Sequence, residues 1–166
     1  MEILVAAEYH VRAMNLKQKE ALVDELHRVQ PHVLASFLVQ QRLGVSITKM
    51  EFLIELMLIC FQAMKDSGFR WPLITEDEQE RQLARLVGTI GLGTDLAKDM
   101  RAEANRDYFS KHPEKVLFAY VQHEVDCWLK GVPPEESDKY VAMAAMNFVN
   151  CIAFSEATPA DLAGRG

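Results

Sequence analysis

The chain has 166 residues, 49% hydrophobic and 25% charged, which is enough apolar material for one folded domain with a substantial core. Its net charge is −6, with eight basic and eight acidic side chains in residues 1–75 and ten and sixteen in the remainder. No Lys/Arg cluster occurs, which excludes the basic footprint of a nucleic-acid or anionic-membrane surface.

Glu2 to Met14 is apolar at positions 3, 4, 5, 7, 11 and 14, a helical rhythm. Asn15 and Gln18 are spaced as a capping pair, and Leu22, Leu26 and Val29 form one stripe of a second helix whose Lys17, Lys19, Glu20, Asp24, Glu25 and Arg28 face outward. Pro31 suits the first position of a third helix carrying Val33, Leu34, Phe37, Leu38 and Val39, which Gly44 closes.

The stretch around which the rest must be organised follows. Between Phe52 and Met64 only Glu55 and Gln62 are polar. Thr48 with Glu51 predicts a capping box, Ile47 with Phe52 a hydrophobic staple, and Gly68 a left-handed stop, giving a helix over about 49–67. Glu51, Glu55, Gln62, Lys65 and Asp66, with Leu58 among them, fall within about 100° of the helical wheel. The remaining surface is apolar, so this helix is expected to be covered on nearly all sides. A membrane span is a poor alternative, because a bilayer needs about 18–20 apolar residues and Glu55 would lie inside the span.

Pro72 turns Trp71 out of helical geometry. Thr75 and Glu78 form a second capping box, ahead of a helix lined by Leu83, Leu86, Val87 and Ile90. Gly88, Gly91 and Gly93 read as that helix's end or kink. They lack the preceding strand and the Lys-Ser/Thr of a phosphate loop. Thr94 and Asp95 are placed to cap an outer helix with Leu96, Met100, Ala104 and Tyr108 on one stripe. Pro113 restarts the pattern, and Leu117, Val121, Val125 and Trp128 share a face up to Gly131. Acidic residues after Pro133-Pro134 favour a helix N-terminus. Tyr140–Phe154 is then apolar except at Asn147 and Asn150.

These patterns give an all-α fold: a single-domain bundle of about seven to eight helices around the buried central helix at 49–67. The domain is expected over residues 1–156, with a flexible C-terminal tail at 157–166. Cys60, Cys127 and Cys151 each sit in an apolar helical pattern, which fits buried reduced thiols better than a disulfide framework. MEILVAAEYH has no basic n-region and meets Glu8 early. Both point to a cytoplasmic protein.

No complete catalytic set stands out, and neither cofactor nor metal is expected. His123 and Cys127, at i and i+4, supply only two possible ligands where zinc or iron needs three or four. Asp24 with His27 is another two-ligand fragment. Glu55 shares the polar strip with Glu51 and Gln62, so it reads as a solvated or interface side chain. The surplus of apolar helix surface points instead to a non-enzymatic protein–protein interaction or regulatory module, expected to be a homodimer. Its interface candidates are Arg70, Trp71, Met143, Asn147, Phe148 and Asn150. Two alternatives remain open. One is an internal pocket for a small apolar ligand or metal, lined by Met57, Met64, Met143 and Met146. The other is an acidic inhibitor or immunity-type partner of a basic protein.

Overall fold

The computed structural model describes residues 1–68, 71–92 and 108–154, with the backbone alone for 90–92. It is all-α. The elements are α1 (Glu2–Ala13), α2 (Leu16–Val29), α3 (Pro31–Leu38), a 3-10 turn (Val39–Leu43), α4 (Ile47–Asp66), α5 (Glu76–Leu92), α6 (Lys115–Lys130) and α7 (Asp138–Phe154). Residues 108–111 are also helical, and no strand occurs among the described residues. None of the helices described is long and apolar enough to cross a membrane.

α4 is the central helix: α1, α2, α3 and α7 all pack on it. Twelve of its 20 residues are buried, Leu58 included. Its polar edge is closed by neighbours: Lys19 of α2 bonds Glu55 at 2.5 Å, Lys65 bonds Glu25 at 2.5 Å, and Gln62 donates to Asp66 at 2.8 Å. Arg12 of α1 reaches Glu124 of α6 at 2.7 Å and lies 3.8 Å from Glu55. Such half-exposed pairs contribute little stability each. They join α1 and α2 to the polar edge of α4.

The start of α4 differs from the expected capping box. The helix begins two residues earlier, with Ser46 as N-cap and no side-chain cap bond. Thr48 is therefore already inside the first turn, where its hydroxyl no longer faces the orphaned N–H groups. Ile47 is exposed, so no staple forms; Phe52 stacks flat on Trp128 instead, with ring centres 4.3 Å apart. Gly44 and Gly68 do adopt positive φ, 88° and 72°, and end their helical segments as expected.

Asn15 and Gln18 make the reciprocal capping box, and Thr75 Oγ1 accepts from Glu78 N at 3.2 Å. Gly88 and Gly91 do not end α5, which runs through both to Leu92; Gly93 lies outside the described residues. So do Thr94, Asp95, most of the expected outer-helix stripe and the segment 157–166.

Two polar ties fix the upper helices. Gln30, buried between α2 and α3, accepts from Ile74 N at 2.9 Å and donates to Pro72 O at 2.8 Å, pinning the strap that leads into α5. Lys49, its side chain 3% exposed, bonds Asp138 and the carbonyl of Pro133 and lies 3.3 Å from Glu135. This anchors the first turn of α7 to the first turn of α4.

Candidate functional groove

α5 and α7 pack together, and α3 touches both. Between them a groove of about 610 Å³ stays open to solvent. Each wall is a helical stripe. On α7 the lining residues are Tyr140, Met143, Ala144, Asn147 and Cys151, the i, i+3, i+4, i+7, i+11 spacing of one face. α5 contributes Glu76, Gln79, Glu80 and Leu83, again i, i+3, i+4, i+7. The third wall is Val33, Ser36, Val39 and Leu43 of α3 and the 3-10 turn, with Phe37 and Phe148 at its base. From Tyr140 to Cys151 the α7 face runs about 16 Å, roughly three helical turns.

The apolar lining extends onto an exposed rim. Val39, Leu43 and the adjacent Leu38 are 41%, 47% and 51% exposed. In the sequence Leu38 and Val39 continue the apolar pattern of Val33, Leu34 and Phe37. Val33, Leu34 and Phe37, the buried residues, fall within about 100° of the helical wheel, and Leu38 and Val39 lie off that face, Val39 nearly opposite it.

The polar groups of the groove are unevenly placed. Both carboxylates, Glu76 and Glu80, belong to the α5 wall, and no Lys or Arg lines the groove. Glu76 lies 3.3 Å from Nδ1 of His32 on the opposite wall. Among the described residues nothing pairs with Glu80, which is exposed. At the α5–α7 seam, Asn147 Nδ2 donates to the main-chain carbonyl of Gln79 at 3.1 Å. Its Oδ1 and the Nε2 of Gln79, a residue 9% exposed, are buried without hydrogen-bond partners. An acceptor and a donor left so each cost about 1–3 kcal/mol. Cys151 also faces the groove, but burial, seconded by Glu78, pushes its thiol up to about 12. It stays protonated at neutral pH and is no nucleophile.

The residues singled out from sequence are distributed as follows. Met143 and Asn147 lie on the groove wall. Phe148 is buried, edge-on to Phe37 at 5.4 Å and to Trp71 at 5.7 Å. Trp71 is half-buried and also leans on Phe61 at 5.8 Å, capping the chain's own core. Arg70 lies outside the described residues. Asn150, 0% exposed, accepts at Oδ1 from Tyr108 OH and from His112 Nε2, both at 3.0 Å, while its Nδ2 has no partner. Nδ1 of His112 accepts from Glu114 N at 3.1 Å, so the ring proton is on Nε2. Burial pulls the His112 pKa down, more than its hydrogen bonds raise it.

Of the four methionines proposed to line a pocket, Met57 and Met64 are core, Met146 packs against the core, and Met143 alone reaches the groove. His123 Nε2 lies 3.6 Å from the exposed Cys127 Sγ. Among the described residues no group of three or more His, Cys, Asp or Glu side chains is placed to hold a metal. Sequence reasoning missed the α3 and α5 walls. Their residues are ordinary members of amphipathic patterns, and only the third dimension shows that one stripe of each is uncovered.

No family model matches the chain, and no curated protein or solved structure matches it either.

Proposed function

We propose that the protein is a non-enzymatic interaction module that receives a helical segment in the α3/α5/α7 groove. The observation that carries this reading is the shape of the groove: three helical stripes, each one face wide, border a slot about three turns long. A fourth helix laid along α7 would complete a local bundle with the usual interaxial separation of 8–10 Å. Ala144, between Met143 and Asn147, keeps the α7 wall low at its middle. Val39, Leu43 and Leu38 on the rim bury their exposed surface only against a body larger than the slot, which favours a protein segment over a small apolar ligand.

Photo-crosslinking from the native cell tests this reading. With the photoreactive residue p-benzoylphenylalanine in place of Met143, the chain is expected to form a discrete protein adduct. The same residue in place of Glu20, on the outer face of α2, is expected to form none. Absence of an adduct from Met143, or equal labelling from both positions, would overturn the groove as the docking surface.

A further inference from the structure

The distribution of charge around the groove says what kind of helix fits. The apolar floor is bordered on the α5 side by Glu76 and Glu80, with no cation among the lining residues to balance them. Glu76 stands in the first turn of α5, where the helix dipole already favours a carboxylate, and it faces His32. Neither explanation covers Glu80. It lies beyond the first turn, exposed and unpaired among the described residues, one position along from Gln79. Gln79 is the second, independent sign: a buried residue of the groove wall whose amide nitrogen is buried with no acceptor. Asn147 supplies the matching unpaired acceptor on the neighbouring helix. An unpaired donor and an unpaired acceptor on the two helices that border the groove complement a side-chain amide or hydroxyl, which can give and take a hydrogen bond at once.

Resting on the groove reading above, we propose that the occupant is a basic amphipathic helix of a partner protein. Its apolar stripe lies on Met143, Ala144, Leu83 and Val39. A Lys or Arg on its flank faces Glu80, and one amide- or hydroxyl-bearing side chain enters the seam between Gln79 and Asn147. Opposite charge across a rim acts chiefly on encounter and selectivity, so the preference for a basic helix falls as salt rises. A second copy of this chain fits less well, because two-fold pairing through this face brings the carboxylates of one α5 wall into the same contact as those of the other.

The test uses the full chain and two labelled synthetic helices of about four turns, read by fluorescence anisotropy. Both carry the same Leu stripe and one central Asn; one has Lys flanks and the other Glu flanks. The Lys-flanked helix is expected to bind roughly tenfold more tightly at low salt. Glu80→Lys is expected to erase or invert that preference while leaving the circular dichroism and melting temperature unchanged. Ala144→Trp is expected to abolish binding of both helices; should that variant fold poorly, Ala35→Trp, at an exposed residue of α3 that also lines the groove, is expected to do the same.

If the two helices bind equally and Glu80→Lys changes nothing, the charge inference is overturned while the groove survives. Binding of neither helix, or binding that ignores both tryptophan variants, overturns the groove reading and the inference together. Light scattering that finds a stable species of twice the 18.8 kDa chain, dissociated by Ala35→Trp, would assign the groove to a second copy and overturn the basic-partner proposal.

Discussion

Asn147 and Gln79 are joined across the α5–α7 seam by one hydrogen bond from side-chain nitrogen to main-chain carbonyl, 3.1 Å long. The bond holds the two walls of the groove at fixed separation and spends only half of Asn147's amide. Asn147→Ala is expected to destabilise the fold by about 0.5–1.5 kcal/mol, the net worth of one such bond. Asn147→Asp removes the donor and sets a carboxylate against a carbonyl oxygen. It is expected to be the worse variant at pH 7, with much of the extra loss recovered as the pH falls and that carboxylate takes up a proton. Urea denaturation at both pH values reads the difference.

A second tie acts at the far end of α7. The Asp138 carboxyl is held below its ordinary value of 3.8, first by the Lys49 ammonium and then by the Glu135 N–H. Burial opposes the charge on Lys49, but its bonds to Asp138 and Glu135 outweigh this and raise it above 10.5. The depressed carboxyl contributes stability that is present above pH 3.8 and lost as the pH falls through the lower, folded value. The raised ammonium contributes stability present below 10.5 and lost as the pH climbs through the higher one. Asp138→Asn is therefore expected to melt lower than the parent across neutral pH. The gap between them should close in strong acid, as thermal denaturation over a pH series would show.

His112 gives a separate acid limb. Its folded pKa lies below 6.5 because the buried ring resists charging. The unfolded chain takes up a proton at higher pH than the folded one does, so stability is full above pH 6.5 and falls until the folded value is passed. His112→Asn is expected to remove that limb while lowering stability at pH 7, where the ring's bond to Asn150 is lost. The midpoint of urea unfolding between pH 7.5 and 5 measures both effects.

The architecture was legible in the sequence and the site was not, for one physical reason. A segment such as Phe52–Met64, apolar round most of its circumference, permits a single solution, which is burial by other elements. Asn15–Gln18, Gly44 and Gly68 likewise name local geometries that few other residues supply. Thr48 misled because a capping box two residues inside the true start is indistinguishable from a real one until the backbone direction of Ser46 is known. The groove depends on which helical stripes stay uncovered. Leu83 and Met143 look like any core residue, and Val39 continues an apolar run although it lies off the buried face of Val33, Leu34 and Phe37. Lys49 is the sharpest case: a lysine at a helix start reads as solvated, and only the return of Asp138 from 89 residues away makes it buried.

Phe148 and Met143 share a helix but differ in what surrounds them. Phe148 is 4% exposed and packs edge-on to Phe37 and Trp71. Phe148→Ala is expected to cost about 3–5 kcal/mol, with loss of the near-ultraviolet signal of Trp71. Met143→Ser changes a half-buried groove residue and is expected to cost under about 1.5 kcal/mol while removing helix binding. Denaturant titration and the anisotropy assay separate the two, and equal destabilisation by both would show the groove wall to be core.

The three thiols form a last, inexpensive check on the fold. Cys60 is fully buried in α4 and its thiol is pushed up to about 12 by desolvation; Cys151 is pushed to a similar value. Cys127 is exposed on α6. Reactivity follows thiolate population and access together, so two of the three are closed on both counts. Ellman's reagent at pH 8 is expected to release one equivalent of chromophore promptly from the native chain and three in denaturant. Cys127→Ser should remove the prompt phase. Prompt reaction of two or three thiols in the native state would mean that α4 or α7 opens to solvent, and a central helix enclosed by α1, α2, α3 and α7 forbids that.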